Sequence, residues 1–349
     1  MHKTAAIIGA GMAGLGAARA LLQTGVKVNL YEKSPGVGGR VATRRIAGCT
    51  FDHGAQIIKP AGFSLDKLMR EELPRPDLLE VKTPILPFAS DGSRLPIDPL
   101  RGSEAKYAYA DGITTLPKMM MQSCLDLGGA LRLDTHIARF KESPEGVTLF
   151  DRNGEKIGEA DALVITAPAP QAAALIEASE MLDPVAQSAQ ISALRTVRYR
   201  PCLSVLLGYS RFEFANDAYA LIAEDKNSPL LWVAFENMKS LKRAPNGETL
   251  LIAQFGGDFS NEKYDFPDET VIEEALQTLR PLFQGASDSP TFSQVKRWRY
   301  SQPIGMVAFS AVNPASSKII VAGDALRPDN GRIHQAYESG LEAAALLSG

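Results

Sequence analysis

The sequence predicts an α/β fold in which a dinucleotide-binding domain carries an inserted second domain of mixed sheet. Three observations carry that expectation. A glycine turn stands between a strand and a helix at the start of the chain. Apolar runs suited to one parallel sheet recur at the start, middle and end, and shorter alternating runs fill the stretches between them. The first run, Thr4–Ile8, reads as a buried strand; Gly9-Ala10-Gly11-Met12-Ala13-Gly14 follows at once and opens an apolar helix over 15–22. A second strand over 26–30 ends at Glu32, with Lys33 beside it. This is a Rossmann-like fingerprint. Gly9 permits the tight turn, Gly11 lets the amides of the following Met12 and Ala13 approach a pyrophosphate, and Gly14 lets helix and strand pack closely. The helix N-terminus supplies unpaired amides and a positive dipole end. Glu32, 18 residues past Gly14, can accept hydrogen bonds from an adenosine ribose.

The elements that follow are read in order. Lys33 to Arg40 form a glycine-rich loop closing on Gly38-Gly39-Arg40, where Arg40 can pair with a phosphate bidentately. A short charged hairpin over 42–47 precedes Phe51-Asp52-His53-Gly54-Ala55-Gln56. Residues 59–97 are rich in proline and charge, with a helix expected at 65–72. A strand or turn at 107–112 leads to a helix over 116–127, stopped by Gly128-Gly129. The short runs 131–133, 137–141, 147–151 and 156–157, with a turn at Asn153-Gly154, read as a β-meander. Residues 162–166 are a buried strand closed by Ala167-Pro168, and a helix follows over 171–178. Strands are expected at 202–209, 218–223, 230–235 and 249–255, then a helix over 269–282 with Asp268 as its cap. The last elements are strands at 292–300 and 318–322, the latter followed by Gly323-Asp324, and a helix over 335–347. The nucleotide domain is accordingly assigned residues 1–75, 100–172 and 292–349, and the substrate domain 76–99 and 173–291. The substrate site is expected where they meet.

Composition bounds the rest. The chain has 349 residues, 45% hydrophobic and 22% charged, with a net charge of −3, which implies no attraction to nucleic acid or to an anionic membrane. No run of about 20 uncharged apolar residues offers a membrane span, and the N-terminus lacks the pattern of a signal peptide. A cytoplasmic protein is expected. Its three cysteines, Cys49, Cys124 and Cys202, suit buried thiols in a reducing compartment. No Cys/His set has zinc-ligand spacing, so no metal is expected. The oligomeric state is not legible.

The order of these motifs resembles the renalase-like flavoproteins, a branch of the FAD-dependent amine-oxidase superfamily. Residues 36–45 resemble the glycine-arginine loop of that family, 51–56 its Asp-x-Gly-Ala-Gln segment, and 161–171 its central strand and proline turn. Lys296 to Tyr300 with Pro303 is similar to its late Arg-Trp-Arg-Tyr strand, and Val321 to Asp324 with Gly331-Arg332-Ile333 to the opening of its last helix. The chain departs from the family at His334-Gln335-Ala336, at Gln254, where relatives often carry histidine, and at 256–260.

The resemblance implies non-covalent FAD and a topology like that of p-hydroxybenzoate hydroxylase and monoamine oxidase. It places Gly9, Gly11, Met12, Ala13, Gly14, Glu32, Lys33, Gly39, Arg40, Asp52, Gly54, Ala55, Gln56, Ala167, Trp298, Gly323, Asp324, Arg332 and Ile333 at the cofactor. No cysteine follows Cys202 to form a C-terminal thioether. Asp324 is expected at the ribityl chain, and the last helix, helped by Arg332, at the flavin edge that becomes anionic on reduction. Gln56, His53, Gln254, Trp298 and His334 are the catalytic candidates. Trp298 and Tyr300 alternate with Arg297 and Arg299, so aromatics and arginines take opposite faces of one strand. The activity implied is oxidation of 1,2- and 1,6-dihydro isomers of NAD(P) to NAD(P)+, by hydride transfer to flavin N5 with dioxygen reduced to hydrogen peroxide. Two alternatives stay open: an oxidase of small amines, and a flavin-binding protein without turnover. A charged dinucleotide would want a cationic cleft, for which Lys239, Lys242 and Arg243 are candidates.

Overall fold

The computed structural model describes residues 3–60, 63–97, 104–210, 217–284, 288–314, 317–328 and 331–348. Its first sheet explains the scattered apolar runs. Strands Ile319–Val321, Ala162–Ile165, Thr4–Ile8, Lys27–Tyr31 and Ala130–Arg132 lie side by side in that order, every neighbouring pair parallel. Because successive residues of a strand point to opposite faces, Ala5 and Ile7 join one core while Ala6 joins another. Helices Met12–Gln23, Thr115–Asp126 and Ile333–Ser348 cover the first face. A three-stranded antiparallel sheet, Arg139–Glu142, Val147–Phe150 and Lys156–Ala160, covers the second with helices Ala169–Glu177 and Pro184–Arg195. A strand buried on both faces must be apolar throughout, which is what made these runs readable.

A six-stranded sheet forms the second layer system, in the order Phe292–Ile304, Arg198–Tyr209, Thr249–Phe255, Leu230–Phe235, Ala220–Ala223 and Ile85–Phe88. All its pairs are antiparallel except the last. Helix Asp268–Phe283 presents Val271, Ala275, Leu279 and Phe283, four residues apart and one turn above the other, to one face of this sheet. The opposite face turns toward the nucleotide half, where Leu206, Leu250 and Ile252 pack with Cys49 and Phe51 of hairpin strand Cys49–Asp52.

Some expectations are corrected. Phe292–Ile304 pairs with Arg198–Tyr209 in the six-stranded sheet, so the sheet boundary falls after Ile304 instead of before Phe292. The run at 131–133 is not part of a meander. It follows directly on helix Thr115–Asp126 and enters the parallel sheet beside Lys27–Tyr31, as a strand does after a helical crossover. Helix Pro184–Arg195 was missed, although Asp183 caps it by accepting from the amides of Val185 and Ala186 and Pro184 opens it. Asp268 does not cap its helix: Pro267 holds that position, and Asp268 pairs with Arg297. The helix expected at 65–72 is α-helical over Phe63–Lys67 and π-helical over Leu68–Glu72.

Candidate active site

The phosphate turn is built as the sequence suggests, with a separate reason for each glycine. Gly9 has φ +103°, and a Cβ there would stand 2.5 Å from Thr166 Oγ1. A Cβ on Gly14 would meet the Gly9 carbonyl oxygen at 1.9 Å. A Cβ on Gly11 would meet nothing within 4 Å; it would project into open space in front of the helix. Gly11 also caps helix Met12–Gln23, and no side chain satisfies that end, which leaves it as an anion seat. The loop at 36–40 docks against the turn. The Gly38 amide donates to the Ala10 carbonyl at 2.8 Å, Gly11 and Gly38 form a parallel bridge, and Gly39 has φ +56°. Glu32, 8% exposed, accepts from the amides of Ala10 (2.9 Å) and Ser34 (2.8 Å), one on each oxygen, and so braces both loops. Lys33 is exposed beside it.

Arg40 reaches across this cradle. Its two terminal nitrogens donate to Asp324 Oδ2 and Oδ1 at 2.7 and 2.8 Å, and one also to the Ser301 carbonyl. The guanidinium fork expected on a phosphate is therefore occupied by the carboxylate expected at the ribityl chain. Together they clamp the glycine loop to the end of strand Ile319–Val321. Gly323 donates its amide to Ser339 Oγ, and Ala167 lies at the exit of strand Ala162–Ile165 next to Thr166, whose hydroxyl donates to the Ile8 and Gly9 carbonyls. In the last helix, Gln335 Oε1 accepts from the Arg332 amide at 3.3 Å, Arg332 is exposed, and Ile333 and His334 are half-buried.

The segment Asp52 to Gln56 passes between the two sheets, and its side chains separate. Asp52 does not face the cradle. Its carboxylate is fully buried, accepting from Lys239 Nζ (3.0 Å), Arg243 Nη1 (2.7 Å), Thr43 Oγ1 (2.8 Å) and the Ile113 amide (2.8 Å). Glu236 completes the cluster, binding the same two cations, and all four charged side chains are wholly buried. Burial alone would raise the Asp52 pKa, but Arg243 and Lys239 overcome it and hold the carboxyl well below its ordinary value. Lys239 and Arg243 are thus not cleft cations, a correction that their spacing in sequence could not supply; Lys242 is exposed.

The other side chains converge. His53 stacks on Trp298 with centroids 5.2 Å apart and planes 18° from parallel, and Trp298 Nε1 donates to the His53 carbonyl at 2.9 Å. Gly54 lies so close to Arg40 that a Cβ would stand 2.1 Å from its carbonyl oxygen, and the Ala55 amide donates to that same oxygen. Gln254 Nε2 donates to the Gly54 carbonyl (3.0 Å) and Ser204 Oγ (3.3 Å). Trp232 pairs across strands with Gln254, and Lys296 with Ser204. His53 is held neutral, its pKa lowered to about 4, first by burial and then by the Lys296 charge. Gln56 Nε2 donates to the Asp52 carbonyl, while Gln56 Oε1, His53 Nδ1 and His334 Nδ1 are buried without a partner among the described residues. Sequence reasoning missed Ser204, Trp232 and Lys296 here; the signal was strand parity, since 204, 232, 254, 296 and 298 all fall on one face.

A helix end without a side-chain cap, a glycine whose Cβ would enter vacant space, buried polar atoms without partners among the described residues, and the stacked His53–Trp298 pair are features that fit a dinucleotide-binding site. The fold and these features point to a dinucleotide-binding protein. The chain belongs to the flavin-containing amine oxidoreductase family, which matches residues 85–348, while residues 7–71 match the NAD(P)-binding Rossmann-like domain. Its cofactor is FAD, held non-covalently. A protein of Mycobacterium tuberculosis named as the flavin-containing monoamine oxidase AofH is 33% identical over 122 residues, which is 35% of this chain and 23% of that protein. Cyclohexylamine oxidase from Brevibacterium oxydans superposes with a TM-score of 0.78 at 15% identity, over 100% of this chain and 99% of that one. A protein from Exiguobacterium sp. 255-15 named as a protoporphyrinogen oxidase gives 0.77 at 14% identity, over 99% and 98%. At these identities the structural likeness establishes the fold alone.

Proposed function

We propose that this protein is a renalase-like oxidase returning 1,2- and 1,6-dihydro isomers of NAD(P) to NAD(P)+. The observation that carries the reading is the chemistry of the side chains gathered at Gly54. They are aromatic (Trp298, Trp232), amide (Gln254, Gln56), neutral imidazole (His53) and cationic (Lys296), while Asp52 and Glu236 are consumed in the buried cluster. A dihydropyridine is flat and uncharged, and it becomes aromatic by losing hydride with no proton to remove. Such a substrate needs a wall and an orientation, and no general base. Bound FAD would supply the hydride acceptor and the route of the electrons to dioxygen, with hydrogen peroxide as the reduced product. Trp298, backed by His53, offers the flat wall. Gln56 Oε1, an acceptor without a donor, suits the N–H of a nicotinamide carboxamide. Glu32 and the open end of helix Met12–Gln23 would hold the adenosine and pyrophosphate of FAD.

Oxidation of a small amine is the second reading, favoured by the family and by the relatives named for amines. An alkylammonium would meet Lys296 here instead of a carboxylate, which weighs against it. A cytoplasmic location belongs to the same proposal; among the described residues no helix is long and apolar enough to cross a membrane. The test is anaerobic. The holoenzyme is mixed with the isomers made by borohydride reduction of NAD+, with ordinary 4-dihydro NADH and with a panel of amines, while the flavin absorbance is followed. Bleaching by the isomer mixture alone, recovering on air with peroxide, is expected. Bleaching by an amine alone establishes the second reading, and bleaching by neither leaves a flavin-binding protein without these activities.

A further inference from the structure

Several cations around the six-stranded sheet are neutralised by a carboxylate. Arg40 is paired with Asp324, Lys239 and Arg243 with Asp52 and Glu236, and Arg297 with Asp268. Arg44 and Lys296 differ. Arg44, on hairpin strand Thr43–Ile46, is exposed and reaches over to strand Phe292–Ile304, where its Nε donates to Gln294 Oε1 at 3.1 Å. Lys296 follows Gln294 by two residues on the same face, half-buried opposite Ser204. Neither has an ion pair with a carboxylate among the described residues. The Lys296 pKa is lowered first by burial and then by the Arg44 charge, and Asp268, already held by Arg297, offsets this only in part. Both charges also act on His53, which stacks on Trp298. Two like charges on neighbouring strands, one of them half-buried, repel each other unless a ligand supplies the counter-charge.

We propose that Arg44 and Lys296 form an anion subsite of the substrate cleft, taking a phosphate of the substrate while its reacting ring lies toward Trp298 and Gln254. The assignment builds on the dihydronicotinamide reading and adds what that reading does not contain, a specificity for phosphorylated substrates. A planar guanidinium and a point-charge ammonium carried by two different strands would suit a phosphate, which can accept from both at once.

The experiment has two arms, both on the FAD-loaded enzyme. In the first, kcat/KM is compared between the reduced isomers of NAD+ or nicotinamide mononucleotide and those of phosphate-free N-methylnicotinamide. The wild type is expected to prefer the phosphorylated substrates, and Arg44→Gln or Lys296→Gln to reduce that preference by about tenfold each. Arg44→Lys and Lys296→Arg should restore most of it. A preference unchanged by both Gln variants overturns the subsite. In the second arm, ADP-ribose is titrated into the oxidised enzyme and the flavin difference spectrum is followed, with no turnover required. Saturable binding by the wild type that weakens at least tenfold in the double Gln variant supports the subsite, even if no dihydronicotinamide is oxidised. Equal binding by both proteins, or none by either, overturns it whatever the outcome of the turnover assay.

Discussion

At the scale of single residues, His53 makes a sharp statement about pH. Its pKa in the folded protein falls from 6.5 to about 4 because burial and the Lys296 charge both disfavour the imidazolium, with Asp52 opposing. The folded state therefore refuses a proton that the unfolded chain accepts. Stability is complete above pH 6.5, declines as the pH falls toward 4, and loses on the order of 3 kcal/mol over that window. His53→Gln should flatten this decline while leaving the lower window, where Asp52 must be protonated, in place. Urea midpoints measured from pH 7.5 to 4.5 in both proteins check this. Parallel curves would mean that the imidazole is freely protonated in the fold. The same neutrality argues that His53 acts as no general acid at physiological pH; its ring stacks on Trp298, and its buried Nδ1 has no partner among the described residues.

At the scale of elements, two glycines that look alike in the fingerprint, Gly11 and Gly14, separate by what surrounds them. Gly14→Ala drives a methyl into the Gly9 carbonyl, 1.9 Å away, inside the strand-turn-helix unit. It should destabilise the FAD-free protein by about 1–3 kcal/mol or more. Gly11→Ala finds open space, so the melting temperature of the FAD-free protein should stay within about 2 °C of wild type. FAD affinity should nonetheless fall by tenfold or more, because the methyl occupies the pyrophosphate path. Thermal melts with and without FAD, together with a flavin titration, separate the two effects; equal loss of stability in both apoproteins would refute the division of roles. This also shows what was readable. The turn and Glu32 belong to one strand-turn-helix-strand unit, and the twofold-buried strands are apolar along their length, so local spacing and composition carry them. The Arg243–Asp52 contact joins positions 191 residues apart. Nothing local distinguishes Arg243 and Lys239 from the exposed Lys242, so a cationic cleft was read where there is a buried cluster. The face shared by Ser204, Gln254, Lys296 and Trp298 emerges only when three strands are placed in register.

At the scale of the whole molecule, the buried cluster is the fastening between the two sheets. Asp52 ends a hairpin strand packed between the sheets, whereas Glu236, Lys239 and Arg243 follow strand Leu230–Phe235 of the six-stranded sheet. Arg243 also donates to the Tyr109 carbonyl at 2.6 Å, so a single guanidinium binds two segments outside its own sheet. Four charges that cancel inside the protein are stable only as a set, and removing one partner exposes the others to the full cost of burial. Arg243→Met keeps much of the volume and deletes the charge. It should cost about 3–5 kcal/mol and, because the cost falls on the fastening, should split one cooperative unfolding transition into two. A compensating Arg243→Met, Glu236→Gln double variant, with the remaining Lys239 facing only Asp52, should recover a substantial part of that loss. The flavin supplies an independent reporter, since the cradle proposed for it lies in the parallel-sheet half while Trp298 lies in the other. If flavin release and loss of near-ultraviolet tryptophan signal coincide in the wild type but separate in Arg243→Met, the cluster is what makes the cradle and the substrate wall one site. Coincident transitions in the variant would assign that role to the apolar contact of Phe51 with Leu206 and Ile252 instead.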